Sequence, residues 1–441
     1  MRTLAELRAA SDAALLEGRF AEALHGYAVL LALEPVNLDA RLRVADSLLA
    51  LGEVQRAAVV YTALARHATH AGHPLRALVA LKILTTLEPL LETLLSGFAE
   101  LYSRDSERIG RGIRIAPGDE QRALPEGFAL GAAPALPQLV AQAEALGADL
   151  QKAGGVYPKQ LPPIPLFSEL PASDFAGVLA ALKLRRARPG ETILAEGQPG
   201  ESFYVLARGT VGVTKHLAHG GESRLATLHE GAIFGEMALV SASPRTATVT
   251  AESDCDLLEF DRAALVAASR SVATIAGALD KFTRERLLNN LLATAPLFRP
   301  LDRKQRFDLI RRFKAHDVAA GVTIIEEGSP GRGLFVLLSG QVDVSKRDGE
   351  QKVLLATLGP GDVFGEISLV NDEPASATVT AASQSTVLFL ARDVFERLVE
   401  AVPDIGEYVR SLGEERLMDT RLLLEAAGDL EELTDDDLVL I

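Results

Sequence analysis

The chain contains 441 residues, of which 48% are hydrophobic, and it carries a formal net charge of −15. This length allows two or three domains with separate cores. The negative charge disfavours binding to DNA, RNA and anionic membrane surfaces, because these partners require a basic face that neutralises phosphate. The single cysteine, Cys255, excludes an intrachain disulfide and favours a reducing compartment.

The N-terminal sequence is charged and has helical periodicity, without the apolar centre of a signal peptide. The longest uncharged stretch, GFALGAAPALPQLVAQA, contains two prolines and two glutamines, which makes it a poor membrane span. We therefore expect a cytoplasmic protein without a membrane span and without a nucleic acid partner.

Residues 1–103 resemble tetratricopeptide helix pairs, because a Gly, Ala, Tyr pattern returns after 34 residues. The matching positions are Gly18 and Gly52, Ala23 and Ala57, and Tyr27 and Tyr61. A third, degenerate pair is expected to complete the region. Modules of this kind present concave surfaces to peptides or other proteins, so this region is a candidate docking platform.

Three histidines, His67, His70 and His73, have a spacing that allows two imidazoles on one helical face for a metal. No carboxylate or cysteine lies in that stretch, and Gly72 and Pro74 indicate the end of a helix. The sequence therefore favours a solvated turn, and no metal site is predicted.

Residues 104–164 are rich in proline and are expected to form a linker that wraps on the domains that follow. One helix is expected within it, near residues 138–151. The segment KLRRARPG after the linker has the charges of a basic patch, but its position favours the entry of a first strand.

Residues 165–293 and 294–426 are two copies of one domain. Pro165-Leu166-Phe167 recurs at residues 296–298, and the offset of 131 becomes 130 after a shorter hairpin. Short β-rich segments separated by glycine predict an antiparallel barrel in each copy, and helical periodicity follows each barrel. The expected fold is multidomain α + β: an N-terminal α-helical repeat, then two antiparallel β-roll barrels each flanked by helices, with an acidic tail at residues 427–441.

The two copies share one loop, which reads FGEMALVSASPRTATV at residues 234–249 and FGEISLVNDEPASATV at residues 364–379. The first loop resembles the phosphate-binding cassette of cyclic nucleotide-binding domains. These domains occur in regulatory subunits of cyclic-nucleotide-dependent kinases and in catabolite-activator-like regulators. The resemblance covers roughly residues 165–426, and it implies that the step from Glu236 to Arg245 reaches ribose and phosphate together.

The residue types of the first loop suit a cyclic monophosphate, which is a small monoanion with one free ribose hydroxyl. The guanidinium of Arg245 can hold phosphate oxygens in a bidentate manner and stays charged when enclosed. Glu236 is a pure acceptor that suits the 2′-hydroxyl. Gly235 lets the backbone come close, and the N–H groups of Met237 and Ala238 are expected to face the phosphate from a short helix.

Thr246 and Ala247 complete the candidate ligand-binding site of the first loop. Thr246 resembles cassettes that accept cyclic GMP, yet family members with this residue also take cyclic AMP, so both ligands stay open. The group that covers the base is expected within residues 271–292, on the helix that follows the first barrel. No cofactor other than this ligand is predicted.

The second loop has Ala375 at the position of Arg245 and retains Glu366. Asp372 and Glu373 add negative charge to the same loop. Leaving a desolvated charge without its partner costs about 3–5 kcal/mol, or several hundredfold in affinity. We therefore expect the second copy to bind cyclic nucleotide poorly or not at all, and to act as a transmitter or interaction surface.

Other groups remain available in the second copy. Ser368 and Ser376 can hydrogen-bond a neutral ligand, and Arg332 and Lys346 are the cations that could reach the site. Whether this copy binds any ligand stays open.

The function expected from these features is that of a cyclic nucleotide sensor and adaptor, which passes ligand binding in the first copy to an unknown protein partner. The partner would bind the helical repeats or the acidic tail. The alternatives are an inhibitor resembling a kinase regulatory subunit and a ligand-independent scaffold. No catalytic motif is present, so an enzyme is not expected. Because the helix after the first barrel runs directly into the second copy, ligand binding is expected to change the placement of the two barrels.

Overall fold

The structure is a computed structural model that describes residues 3–88, 92–116, 121–150, 157–216, 221–236, 244–261, 263–264, 288, 291, 295–348 and 351–431. The chain divides into two compact units, Met1–Asp280 and Lys281–Ile441. Across the described residues, no helix is both long enough and apolar enough to cross a membrane.

The first unit begins with helices, of which α1–α5 pack against one another in chain order. Their bounds are α1 Leu4–Leu16, α2 Phe20–Leu33, α3 Leu38–Ala50, α4 Val54–Ala71, α5 Pro74–Leu87 and α6 Glu92–Tyr102. We call α1–α5 the helical repeats. The Thr3 and Asn37 side chains cap α1 and α3 by accepting backbone N–H groups, and Gly72 ends α4 in the left-handed conformation.

Helix α6 departs from the pattern of a third pair. It packs mainly against α8, Ala172–Ala181, and makes little contact with α5. Aromatic side chains contribute to this contact. The ring of Phe98 packs edge-on against Phe175, and Phe175 stacks on Phe167. The expectation of tetratricopeptide pairs stays a prediction.

The helix of the linker, α7, spans Leu136–Ala148 and packs against α2, α3 and α4. The expectation that the linker wraps on the barrels is therefore wrong for this helix, which lies on the helical repeats instead. Contacts of Arg41 explain why α7 packs on the helical repeats. Its buried guanidinium donates to the carbonyl oxygens of Leu146, at 2.9 Å, and of Asp149, at 3.1 Å, at the C-terminal end of α7.

The histidines also differ from expectation. Gly72 ends the helix as predicted, but His67 and His73 are buried rather than solvated. His67 Nδ1 lies 3.1 Å from the Tyr157 hydroxyl, and His73 Nε2 lies 2.6 Å from the Ile115 carbonyl oxygen. Burial lowers the pKa of His67 to about 4, so the ring is neutral at pH 7. These rings bind the linker to α4 and to the start of α5.

Barrel one consists of two antiparallel four-stranded sheets in the orders β1-β8-β3-β6 and β2-β7-β4-β5. Its strands are β1 Lys183–Ala187, β2 Thr192–Leu194, β3 Ser202–Arg208, β4 Val211–His216, β5 Glu222–Leu228, β6 Ile233–Phe234, β7 Thr248–Ala251 and β8 Cys255–Asp261. Alternate apolar residues from both sheets fill the space between them. The segment KLRRARPG begins with β1, as predicted.

Barrel two, in the second unit, repeats this topology with the orders β9-β16-β11-β14 and β10-β15-β12-β13. Its strands are β9 Lys314–Val318, β10 Thr323–Ile325, β11 Gly333–Ser339, β12 Val342–Asp348, β13 Gln351–Leu358, β14 Val363–Phe364, β15 Thr378–Ala381 and β16 Ser385–Ala391. Its helices are α9 Arg303–Ile310, α10 Glu366–Val370, α11 Arg392–Ala401 and α12 Pro403–Glu431. The two barrels confirm the expected fold class.

Barrel one presents a charged face to the helical repeats. Asp46 on α3 accepts hydrogen bonds from Arg43, at 2.8 Å, and from Arg186 of β1, at 2.8 Å. Asp256 of β8 pairs with Arg186 at 3.0 Å and with Arg208 of β3 at 2.7 Å. Carboxylates and guanidinium groups therefore alternate across the interface, which orients the helical repeats on this barrel.

A further contact fixes α5 to the same barrel. Arg76 donates to Asp39 of α3 at 2.9 Å and to Glu230 at 2.6 Å, in the turn between β5 and β6. The duplicated barrel lacks this charged face: the positions of Arg186, Arg208, Asp254 and Asp256 hold Asp317, Ser339, Gln384 and Thr386. The charge pattern that holds the helical repeats is specific to barrel one.

Candidate ligand-binding loops of the two barrels

Arg245 lies at the centre of the loop of barrel one, and its side chain is buried with 7% of its surface exposed. Its backbone N–H donates to the Gln198 carbonyl, and its carbonyl accepts from Gly197, both at 2.8 Å. Its guanidinium donates to the carbonyl oxygens of Gly235 at 2.6 Å and Ser202 at 2.7 Å. These bonds fix the direction of a cation that has five N–H donors, so it can also donate to an anion.

The guanidinium rests on Gly200. A Cβ atom at that position would lie 2.1 Å from Cζ of Arg245, so only glycine leaves space for the cation. Burial lowers the pKa of Arg245, although Tyr204 and Glu236 act in the opposite direction. An arginine enclosed in this way keeps its charge, and the enclosure strengthens its attraction for a bound anion.

Glu236 follows Gly235 directly and is also buried, with 6% of its surface exposed. Gly235 has φ of +82°, the left-handed conformation in which a residue with a side chain is strained. The loop thus brings a buried carboxylate and a buried guanidinium to one end of barrel one, as the sequence predicts. Their roles towards a ligand stay a prediction.

The remaining residues of the predicted site divide into two groups. Thr246 is exposed and Ala247 is half-buried, directly before β7. Met237 and Ala238 lie outside the described residues, as do residues 271–287, which hold most of the segment expected to cover the base.

The loop of barrel two has the same backbone arrangement around Ala375. The Ala375 N–H donates to the Ser329 carbonyl and its carbonyl accepts from Gly328, again at 2.8 Å. The equivalent of Gly200 is Gly331, where a Cβ atom would lie 2.5 Å from Oγ of Ser368. At these two positions the barrels therefore differ in the side chain and share the same backbone hydrogen bonds.

Glu366 begins α10 and is buried, with 2% of its surface exposed. Its Oε1 accepts a hydrogen bond of 2.9 Å from Arg416, which lies on α12. Arg416 also donates to the Val363 carbonyl oxygen. Sequence reasoning missed Arg416, because nothing in its local pattern distinguishes it from the other charged residues of a long amphipathic helix.

Two cavities meet at the loop of barrel two. The first has a volume of about 130 Å³ and lies between the loop and α12, and the second has a volume of about 270 Å³ and lies behind the loop. Both are lined by Ile325, Ser368 and Ala375. Gly331 and Gly333 line the second cavity. They correspond to Gly200 and Ser202, so this cavity occupies the place that Arg245 fills in barrel one.

The fold and the loops define a protein with two domains of the cyclic nucleotide-binding type. A family model described as "Cyclic nucleotide-binding domain" matches residues 184–271 and 315–402. The chain therefore carries two such domains in tandem, and it is homologous to regulatory subunits of cAMP-dependent protein kinases.

Curated relatives with that name include one from Colletotrichum orbiculare, 31% identical over 250 residues, which is 54% of this chain and 61% of the relative. Another, from Hypocrea atroviridis, is 33% identical over 258 residues, 56% of this chain and 53% of the relative. The chain thus spans little more than half the length of these relatives.

Solved structures with similarity include the regulatory domain of Toxoplasma gondii PKA with cAMP, at 26% identity. The match covers 57% of this chain and 92% of that chain, with a TM-score of 0.28. The Thermus thermophilus catabolite activator protein matches at 30% identity over 29% of this chain and 61% of its own, with a TM-score of 0.27.

Proposed function

We propose that the protein is a cyclic nucleotide sensor that binds one cyclic AMP or cyclic GMP molecule per chain, in barrel one. The observation that carries the proposal is the buried guanidinium of Arg245, held by the Gly235 and Ser202 carbonyls beside buried Glu236. In this proposal Arg245 binds the phosphate and Glu236 accepts the ribose hydroxyl. Met237, Ala238, Thr246 and Ala247 complete the site around the phosphate.

The same proposal makes the protein a cytoplasmic adaptor that passes occupancy to a protein partner without catalysing a reaction. The helical repeats are bound to barrel one through the charged face, so a partner that binds the repeats is connected to the sensor barrel. The acidic tail is the other candidate surface for this partner.

A second function is favoured by the names of the curated relatives, which are regulatory subunits of a cAMP-dependent protein kinase. In this version the partner is a kinase catalytic subunit that the chain inhibits until cyclic nucleotide binds. The two versions share the ligand and differ in the partner.

Isothermal titration of the full chain with cyclic AMP and cyclic GMP tests the ligand. Wild-type protein should bind one equivalent, and Arg245→Ala should weaken binding several hundredfold, because a phosphate in the enclosed site loses its cation. Arg224→Ala is the matched control, since Arg224 lies in the same barrel with its side chain 58% exposed and pairs with Glu252. Two equivalent sites, or equal affinities for Arg245→Ala and wild type, would refute the assignment.

The partner is tested separately by adding the full chain to an active catalytic subunit of a cAMP-dependent protein kinase. Inhibition that cyclic AMP relieves, and that Arg245→Ala makes resistant to cyclic AMP, supports the kinase version. No inhibition at concentrations far above those used in the titration supports the adaptor version.

A further inference from the structure

We propose that barrel two is a second binding site with a different ligand class: an uncharged nucleoside, in which a flat ring is joined to a hydroxylated sugar. The site is the cavity of about 130 Å³ between the loop of barrel two and α12. It would select a nucleoside over the cyclic monophosphate of the same nucleoside.

The first reason is the charge of the cavity. Among the described residues that line it, the charged ones are Glu366, Arg416 and Asp419, which sum to one negative charge. Arg416 is already bonded to Glu366 at 2.9 Å and to a backbone carbonyl. A monoanion that enters this cavity therefore loses its hydration without gaining an uncompensated cation.

The other cations near the loop are also paired. The Lys346 ammonium donates to the Ser376 carbonyl at 3.1 Å and lies 4.0 Å from a Glu327 oxygen. Arg392 donates to the Gly331 and Ser368 carbonyls, at 3.1 and 2.9 Å. These groups stabilise the loop from outside the cavity and replace part of the support that Arg245 gives in barrel one.

Arg332 is the cation that could contradict this reasoning. It lines the second cavity, behind the loop, together with Glu326, so the described charges there balance. It is not among the described residues that line the cavity in front of the loop, where the ligand is placed. The contribution of Arg332 to ligand binding is therefore measured with the Arg332→Ala variant.

The second reason is that the polar groups suit hydroxyl and ring heteroatoms. Glu366 has two oxygens, and a carboxylate that accepts from Arg416 through one of them can accept a sugar hydroxyl as well. Ser368, Ser376 and Thr420 add hydroxyl groups that both donate and accept. The ligand would gain hydrogen bonds at one end without carrying a charge.

The third reason is the apolar remainder of the lining. Aliphatic and aromatic side chains from the strands form one wall, and α12 closes the cavity on the other side with Leu423, which is 43% exposed. The apolar residues of the strands are Ile325, Val344, Leu355, Leu358, Phe364 and Val379. A flat ring between these walls removes apolar surface from water on both of its faces.

The experiment uses the full chain with Arg245→Ala, so that barrel one does not contribute a phosphate site. Adenosine, guanosine, cyclic AMP and cyclic GMP are each titrated by calorimetry. We expect one equivalent of adenosine or guanosine to bind, and the matching cyclic monophosphate to bind at least a hundredfold more weakly. Hydrogen exchange should slow in residues 363–371 and 413–423 when the nucleoside is added.

Further substitutions in the same background test the assignment. Glu366→Gln should weaken nucleoside binding about tenfold, because a charged acceptor becomes a neutral one. Ala375→Arg should reverse the preference in favour of the cyclic monophosphate, since the adjoining cavity and Gly331 leave space for a guanidinium. Thr357→Ala, on the exposed part of β13, is the control that should leave both affinities unchanged.

The proposal is wrong if neither nucleoside binds the Arg245→Ala chain at millimolar concentration. It is also wrong if the cyclic monophosphate binds as tightly as the nucleoside and Arg332→Ala removes that binding. These outcomes are independent of the proposed sensor, because cyclic nucleotide binding to barrel one is measured on the wild-type chain, and nucleoside binding to the Arg245→Ala chain is assigned to barrel two by slower exchange in residues 363–371 and 413–423.

Discussion

Asp46 offers a sharp test of how barrel one holds the helical repeats. Its carboxylate is buried and accepts hydrogen bonds from Arg43, Arg186 and Tyr61. Asp46→Ala would leave the buried guanidinium of Arg43 without one of its carboxylates and the Tyr61 hydroxyl without its acceptor. Breaking a buried ion pair in this way costs about 3–5 kcal/mol.

For a unit of this size, we expect Asp46→Ala to lower the melting temperature of the first unit by on the order of 10 °C. Differential scanning calorimetry measures this transition, and limited proteolysis reports whether the helical repeats become accessible. Asp317→Ala is the matched control, because Asp317 stands at the position of Arg186 in barrel two and bonds to Thr386 on an exposed surface. It should change stability by less than about 0.5 kcal/mol.

The charge of Asp46 also makes the stability of the first unit depend on pH. Burial alone would raise the pKa of Asp46, but Arg186 and Arg43 and the Tyr61 hydrogen bond hold it below the usual value of 3.8. The folded state therefore binds this proton less readily than the unfolded state. The stabilisation is fully present above pH 3.8 and is lost as the pH falls further towards the folded pKa.

Asp46→Asn keeps a hydrogen-bond acceptor for Tyr61 and removes the charge. Its stability should therefore fall less steeply with acid than that of the wild type. If Asp46→Ala is as stable as Asp317→Ala, the charged face contributes no net stability and the reasoning is refuted.

Three further predictions concern the ligand, the linker and the response. Gly200→Ala should weaken cyclic nucleotide binding at least tenfold in a titration, because its Cβ would displace Arg245, whereas Gly331→Ala in barrel two should not. Arg41→Met should make α7 cleavable at its leucines by chymotrypsin in limited proteolysis, because the carbonyls at its C-terminal end lose their donor; unchanged cleavage would exclude this role. Saturating cyclic nucleotide should change the small-angle scattering of the full chain, and identical profiles with and without a bound ligand would exclude a change in the placement of the barrels.

Internal repetition made the barrels predictable. An offset of 131 between glycine positions, which becomes 130 after the shorter hairpin, places equivalent strands and turns in both copies, and the structure confirms the topology in each. The offset of 130 aligns Arg245 with Ala375, so the contrast between the two loops is readable from the amino-acid sequence alone. The backbone hydrogen bonds made by these two residues are the same, so Arg245 and Ala375 occupy equivalent backbone positions.

Contacts between distant segments were not predictable in this way. Arg416 reaches Glu366 because α12 packs on α10, and Arg41 reaches the end of α7 because α7 lies on the helical repeats. Neither packing follows from periodicity, which identifies the apolar side of a helix and not the surface that covers it. The burial of His67 was missed for the same reason, since Tyr157 comes from the linker.

The charged face has a mechanical consequence. Among the described residues, salt bridges join α3 to a strand and α5 to a turn of barrel one, so we expect the helices to move together with the barrel. If barrel one rotates, the helices rotate with it. The displacement of each helix end then increases with its distance from the barrel. A helix of 18 residues, such as α4, extends roughly 27 Å, so a rotation of about 6° at one end moves the other end by roughly 3 Å, the length of a hydrogen bond.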